Sequence, residues 1–222
     1  MIIFAPHPDD ETFGCGGTIA RRVSEGYDVL IVVMTDGRYA FLKMLNIDSD
    51  PTPEELKEIR KEEVKRATKI LGVPEENLIF LNFEDGTLRN SMEEAERKVT
   101  EILKMYRPVE VYFPYKSDVH PDHQAAYHIV KGAVARAGFP INGYQYSTFH
   151  KYMRLGPIID RTLGIIRRNI IRVDVSKFLS KKEAAIKEFK SELSIISNVQ
   201  KNPLIKAKDI KNYLKSKELF LK

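Results

Sequence analysis

The amino-acid sequence predicts an α/β protein with a Rossmann-like, doubly wound, mainly parallel sheet and helices on both faces. Three observations predict it. Short apolar, β-branched runs alternate with longer amphipathic segments along most of the chain. The run Val29-Leu30-Ile31-Val32-Val33-Met34 is apolar at every position, as a strand covered on both sides requires. Polar clusters directly follow two of the strand-like runs, at the strand ends where open α/β sheets gather their working residues.

In chain order, Ile2 to Ala5 is the first strand, and about Glu11 to Glu25 the first helix. Asp28 to Thr35 is the second strand. Pro53-Glu54-Glu55 opens a helix, because proline suits the first turn and acids suit the positive end of the helix dipole. Its apolar residues Leu56, Ile59, Ala67, Ile70 and Leu71 recur at helical spacing, and Gly72 ends it. Leu78 to Phe83 and Glu110 to Tyr115 read as strands; Ser91 to Tyr106 and His120 to Ala137 read as helices. Gly143 to Phe149 and Ile170 to Val175 are later strands, followed by a long helix from about Lys181 to Ile196. The whole is read as one domain, 1–222, with a helical C-terminal part from about residue 176.

Bulk properties narrow the function. The single cysteine, Cys15, excludes a disulfide framework and a cysteine-rich metal cluster, so any metal must be held by histidine and carboxylate. A net charge of +5 is carried by lysine-rich segments that also hold glutamate, which argues for a solvated surface and against a nucleic-acid partner. No apolar stretch reaches the length of a membrane span, and Met1 runs into His7 without a basic leader, so a cytoplasmic location is expected.

The chemistry sits in two clusters about a hundred residues apart: His7-Pro8-Asp9-Asp10-Glu11, followed by Gly14, Gly16 and Gly17, and His120-Pro121-Asp122-His123. Singly, each has an ordinary explanation. Asp9 or Asp10 could cap the helix that follows, and His120 and His123 could be surface histidines one turn apart. Together they supply imidazoles, adjacent carboxylates and a glycine-rich bend at strand ends. That set meets the need of a catalytic zinc for three nitrogen or oxygen ligands, with a spare carboxylate as base.

With these residues in place, the sequence resembles the PIG-L/LmbE-like family of N-deacetylases. Ala5 to Glu11 and His120 to His123 match its two signatures, and Thr35-Asp36-Gly37 matches a Thr-x-Gly element after the second strand. The resemblance implies a Rossmann-like fold and zinc-dependent removal of an N-acetyl group from an N-acetylglucosamine-containing small molecule or glycoconjugate. It implies His7, Asp10 and His123 as zinc ligands, Asp9 as general base, and His120 as a group assisting the transition state, with Asp122 orienting it. Two positions depart from the pattern. Asp118 stands where some relatives offer an oxyanion-stabilising Tyr, and Phe189-Lys190-Ser191-Glu192 stands where others carry a His-x-Ser-Gln-like stretch.

The weaker candidates are Asp36, Arg38 and His150, as substrate contacts. Arg38 is equally a solvated surface arginine, His128 reads as structural, and Cys15 as a small buried residue. The apolar segment 37–50 is a lid, a subunit contact in a homo-oligomer, or a packed loop. Leu155 to Ile171 reads as a basic amphipathic helix, packed on the sheet or lying on a membrane surface. The alternative from another class is a Rossmann-like module that binds a nucleotide or structural metal without turnover. Against it, Gly14-Cys15-Gly16-Gly17 is not the dinucleotide fingerprint, and a structural zinc takes four protein ligands.

Overall fold

Residues 1–148 and 170–222 are described by the computed structural model. The strands are β1 (Ile2–Ala5), β2 (Leu30–Thr35), β3 (Leu78–Phe83), β4 (Glu110–Pro114), β5 (Asn142–Tyr146), β6 (Ile170–Asp174) and β7 (Lys217–Leu221). They form one sheet in the order β3-β2-β1-β4-β5-β7-β6. β1 to β5 are parallel, and β7 runs antiparallel between β5 and β6.

The helices are α1 (Asp10–Ser24), α2 (Ala40–Leu45), α3 (Pro53–Leu71), α4 (Met92–Tyr106), α5 (Pro121–Arg136), α6 (Leu179–Ile186) and α7 (Lys190–Leu193). Alternation along the central strands explains the layering. Ile3, Ile31 and Val33 pack with Phe13 and Ile19 of α1, Val64 and Leu71 of α3, and Ile186 of α6. Ile2, Phe4, Val32 and Met34 pack on the other face with Val99 and Leu103 of α4 and Ile129 and Val130 of α5. Both faces are apolar because both are covered.

Local signals act as expected in α3. Thr52 and Glu55 close a capping box, Pro53 sits in the first turn, and Gly72 ends the helix in a left-handed conformation at φ +97°. The glycines of α1 answer to close approach. A Cβ on Gly14 would lie 2.5 Å from Tyr146 Cδ2, and one on Gly17 would lie 2.7 Å from Val175 Cβ.

The C-terminal part departs from the expectation. The single helix over 181–196 is two short ones, α6 and α7, and the chain then forms β7 instead of staying helical. The break has a packing cause: Phe189 is fully buried against Phe13, and the Ser191 amide and hydroxyl bond to the Glu63 carboxylate at 2.8 and 2.6 Å. One straight helix would not deliver both. In β7, Glu218 turns inward, accepting the Gly17 and Thr18 amides of α1 at 2.9 and 2.7 Å and pairing with buried Lys182 at 2.6 Å. Lys182 Nζ also donates to the Phe13 carbonyl at 2.9 Å.

β1 is flanked by β2 and β4, and the chain winds one way through β2 and β3 before crossing to β4. The β1/β4 boundary is therefore the topological switch point, where the carboxyl ends of adjacent strands open a crevice. Both signature clusters follow these two strands. Among the described residues, no helix is long and apolar enough to cross a membrane.

Candidate functional site

His7 follows β1, Asp10 opens α1, and His123 lies in the first turn of α5. Asp10 Oδ2 lies 3.2 Å from both His7 Nδ1 and His123 Nε2, and those nitrogens are 3.3 Å apart. Three donor atoms thus form a nearly equilateral triangle. Bonds of about 2.0 Å from a tetrahedral zinc would make ligand-to-ligand edges of about 3.3 Å. The donor set and its spacing therefore fit a metal ion of zinc's size and ligand preference on these three residues. All three are buried.

A second ring of groups holds this triangle. The His7 amide donates to Asp10 Oδ2 at 2.9 Å. His7 Nε2 lies 3.2 Å from Asp122 Oδ2 and 3.6 Å from Asp85 Oδ1. His7, Asp85 and Asp122 could themselves gather round an ion. Their oxygens already have partners, however: Asp122 accepts the Gly86 and Leu88 amides at 2.6 and 3.2 Å, and Asp85 accepts Lys43 Nζ at 2.8 Å and the Tyr39 amide at 3.0 Å. They brace His7 and the loop after β3.

His120 completes a cluster of three imidazoles, its ring centroid 4.6 Å from that of His7 and 5.2 Å from that of His123. It caps α5: Nδ1 accepts the Asp122 amide at 3.2 Å. The Asp122 side chain points at His7, so the expectation that it orients His120 is corrected to a backbone contact. Burial, then the neighbouring His7 and His123, push the His120 pKa down to about 4. His120 is thus neutral at pH 7, and with Nδ1 accepting, its proton sits on Nε2. Burial opposes charge on His123 as well, but the Asp10 and Asp118 carboxylates outweigh it and lift its pKa to about 10.

Asp9 occupies the N-cap position of α1 without making a cap bond, at φ +149° and ψ −32°, a region that costs a non-glycine residue energy. Its amide donates to Glu11 Oε2 at 3.1 Å, and its Oδ2 accepts Arg60 Nη2 at 2.7 Å. Burial raises the Asp9 pKa well above the usual carboxylate range, against the pull of Arg60. Arg60 also reaches Glu192 Oε1 at 3.0 Å and the Pro8 and Gly37 carbonyls at 3.0 and 3.2 Å. Sequence reasoning missed Arg60. It sits in α3 among Lys57, Lys61, Lys65 and Arg66, and only its place among the buried residues of that helix marks it.

The weaker candidates divide. Asp36 is buried at the end of β2, where it accepts the Asp85 amide at 3.3 Å and pairs with Arg38 at 2.7 Å. Arg38 also reaches Glu54, so its guanidinium braces the loop after β2. His128 is exposed, and Cys15 is a buried free thiol. Segment 37–50 packs on its own chain through buried Phe41 and is tied to Asp85 by Tyr39 and Lys43, which is the packed-loop alternative. His150 and most of the basic segment 155–171 lie outside the described residues.

Comparison with known proteins identifies the family and the fold. A diacetylchitobiose deacetylase of Thermococcus kodakarensis is 34% identical over 145 residues, 63% of this chain and 51% of that protein. A probable N-acetyl-alpha-D-glucosaminyl L-malate deacetylase 2 of Bacillus cereus is 31% identical over 139 residues, 61% of each chain. The chain thus spans between about half and three-fifths of these relatives' length. The crystal structure of a conserved protein of Thermus thermophilus superposes with a TM-score of 0.72 at 27% identity, covering 100% of this chain and 93% of that one. The model of the PIG-L family, described as GlcNAc-PI de-N-acetylase, matches residues 2–134, more than half of the sequence, and the chain belongs to this family.

Proposed function

We propose that this chain is a zinc-dependent N-deacetylase that hydrolyses the acetamide of an N-acetylglucosamine-containing substrate to acetate and a free amine. The observation that carries the reading is the triangle of His7 Nδ1, Asp10 Oδ2 and His123 Nε2, with His120 against its two imidazoles and Asp9 preceding Asp10 in the chain. These three residues would hold the ion. When bound, zinc supplies Lewis acidity, polarising a carbonyl and bringing the pKa of water toward about 7.

The chain's own residues do the proton work. Asp9 acts as general base, taking a proton from the attacking water; its upward pKa brings it nearer the pH at which such a base works. Arg60 holds the carboxylate from one side and Glu11 holds its backbone, so the base is fixed before substrate arrives. Neutral His120 donates from Nε2–H to the carbonyl oxygen as that oxygen gains charge. As the C–N bond breaks, Asp9 returns its proton to the departing nitrogen, which restores the base; the water's second proton leaves with the acetic acid, which ionises to acetate and protonates the released amine or solvent.

The relatives named for N-acetylated amino sugars support the substrate class. A nucleotide-binding role is disfavoured by the turn after β1, where Asp9, Asp10 and Glu11 present carboxylates in place of the bare amides that cradle a phosphate. The test is acetate release by zinc-loaded protein from a panel of N-acetylglucosamine, N,N'-diacetylchitobiose, and inositol-, malate- and lipid-linked N-acetylglucosamine. Chelation should abolish release. Silence across the panel, at full zinc occupancy, refutes the reading.

A further inference from the structure

We propose that Asp118 is a positioning residue that makes His123 a metal ligand through Nε2, which rests on the reading of His7, Asp10 and His123 as the metal-binding set. An imidazole has two nitrogens, and the partner of one decides which is free to bind a metal. His123 Nε2 faces the triangle, while His123 Nδ1 lies 3.1 Å from Asp118 Oδ2.

The backbone and one carboxylate oxygen of Asp118 are fully engaged. Its amide donates to the Tyr115 carbonyl at 3.0 Å, its carbonyl accepts Gln124 Nε2 at 2.7 Å, and Oδ1 accepts the His120 amide at 3.0 Å. These contacts build the turn that delivers the His120-Pro121-Asp122-His123 stretch to the site. Oδ2 takes no part in the turn. It is buried, without a well-aligned hydrogen bond, and its charge is directed at the imidazole. A buried carboxylate oxygen left so is costly unless its charge serves a neighbour.

The same device stands behind the other histidine in mirror image. His7 turns Nδ1 to the triangle and Nε2 to Asp122 Oδ2 at 3.2 Å. Each imidazole is thus held between the shared Asp10 oxygen and a carboxylate of its own, which fixes the tautomer, restrains the ring and raises its basicity as a ligand. Asp118 is the member of this outer pair with one oxygen to spare.

The division of labour between the two oxygens makes Asp118→Asn a clean test. The amide oxygen can still accept the His120 amide and keep the turn, while the amide nitrogen cannot accept from His123 Nδ1. We expect zinc affinity, measured by competition with a chromophoric chelator, to fall about 10- to 100-fold. Because Asp118 also faces a buried His123 cation in the metal-free protein, the chelated variant should melt somewhat below wild type, and the rise in melting temperature on adding zinc should shrink by more than that fall. In histidine-labelled, zinc-loaded wild type, nitrogen NMR should show His123 protonated at Nδ1 and metal-bound at Nε2. Unchanged zinc affinity in the variant overturns the proposal, as does an equal loss of stability in the chelated protein. Zinc bound through His123 Nδ1 in wild type also overturns it, independently of any variant. A wild-type chain that takes up no zinc refutes the metal-binding set itself, whereas normal wild-type uptake with an indifferent Asp118 refutes only the positioning role of Asp118.

Discussion

Arg60 Nη2 lies 2.7 Å from Asp9 Oδ2, a buried ion pair that joins the middle of α3 to the strained turn after β1. The guanidinium is the only kind of side chain that can serve Asp9, Glu192 and two carbonyls at once from fixed directions. Arg60→Lys should therefore keep the charge and lose the geometry. Turnover should fall about 10²-fold, the scale of a misplaced catalytic group, with zinc content unchanged. Arg60→Met should instead destabilise the protein by about 3–5 kcal/mol, because Asp9 and Glu192 are left buried without a cation. Steady-state kinetics, metal analysis and urea unfolding separate these effects; unchanged turnover in the lysine variant would show that Arg60 is only a strut.

Asp9 and Asp10 are neighbours with opposite surroundings. The Asp10 carboxylate sits between His7 and His123, and that of Asp9 sits on Arg60. Asp10→Asn should weaken zinc binding and lose activity through an empty site, with partial rescue by excess zinc. Asp9→Asn should keep its zinc and lose turnover, because an amide cannot take a proton from water at neutral pH. Equal metal loss in both variants would end this assignment of base and ligand.

His120 lies against the imidazoles of His7 and His123 without sharing the Asp10 oxygen. His120→Ala should lower turnover about 10²- to 10⁴-fold while zinc content stays near normal. With its pKa pushed down to about 4, His120 stays neutral across pH 5 to 8. The wild-type rate should accordingly show no decline assignable to loss of an imidazolium in that range. A rate limb that disappears in the alanine variant would contradict the neutral form.

Glu11 is fully buried, and burial lifts its pKa from 4.5 to about 7. The folded protein then holds a proton that the unfolded chain releases between pH 4.5 and 7. Stability from this group is thus present at low pH and lost as pH rises through that window. Glu11→Gln keeps an oxygen for the Asp9 amide and removes the titration. In chelated protein, the melting temperature of the variant relative to wild type should rise from pH 5 to pH 8. A constant difference across that range would mean that Glu11 is ionised throughout.

The legible parts of the sequence were those where one segment carries its whole signal. β2 reads as a buried strand because all six residues are buried, and α3 declares its ends through Thr52, Pro53 and Gly72. His7, Asp10 and His123 were legible because their residue types are rare in that combination, and the fold brings them together. What stayed hidden depends on partners far along the chain. Arg60 looks like any helix arginine until Asp9 and Glu192 arrive from 51 residues before it and from α7. Leu219-Phe220-Leu221 is too short to signal a strand, and only the gap between β5 and β6 makes it one. The roles of Asp118 and Asp122 follow from which imidazole nitrogen each one meets, a matter of angle that spacing does not encode.

The placement of β7 bears on the order in which a nascent chain can mature. Every residue of the triangle has been translated once α5 is made, yet the carboxylate that holds the Gly17 and Thr18 amides belongs to residue 218. Until then β5 presents an open edge, and the amino group of Lys182 lacks its counter-ion. Synthesis therefore passes through a species in which His7, Asp10 and His123 are translated and the Gly17 and Thr18 amides of α1 still lack their carboxylate.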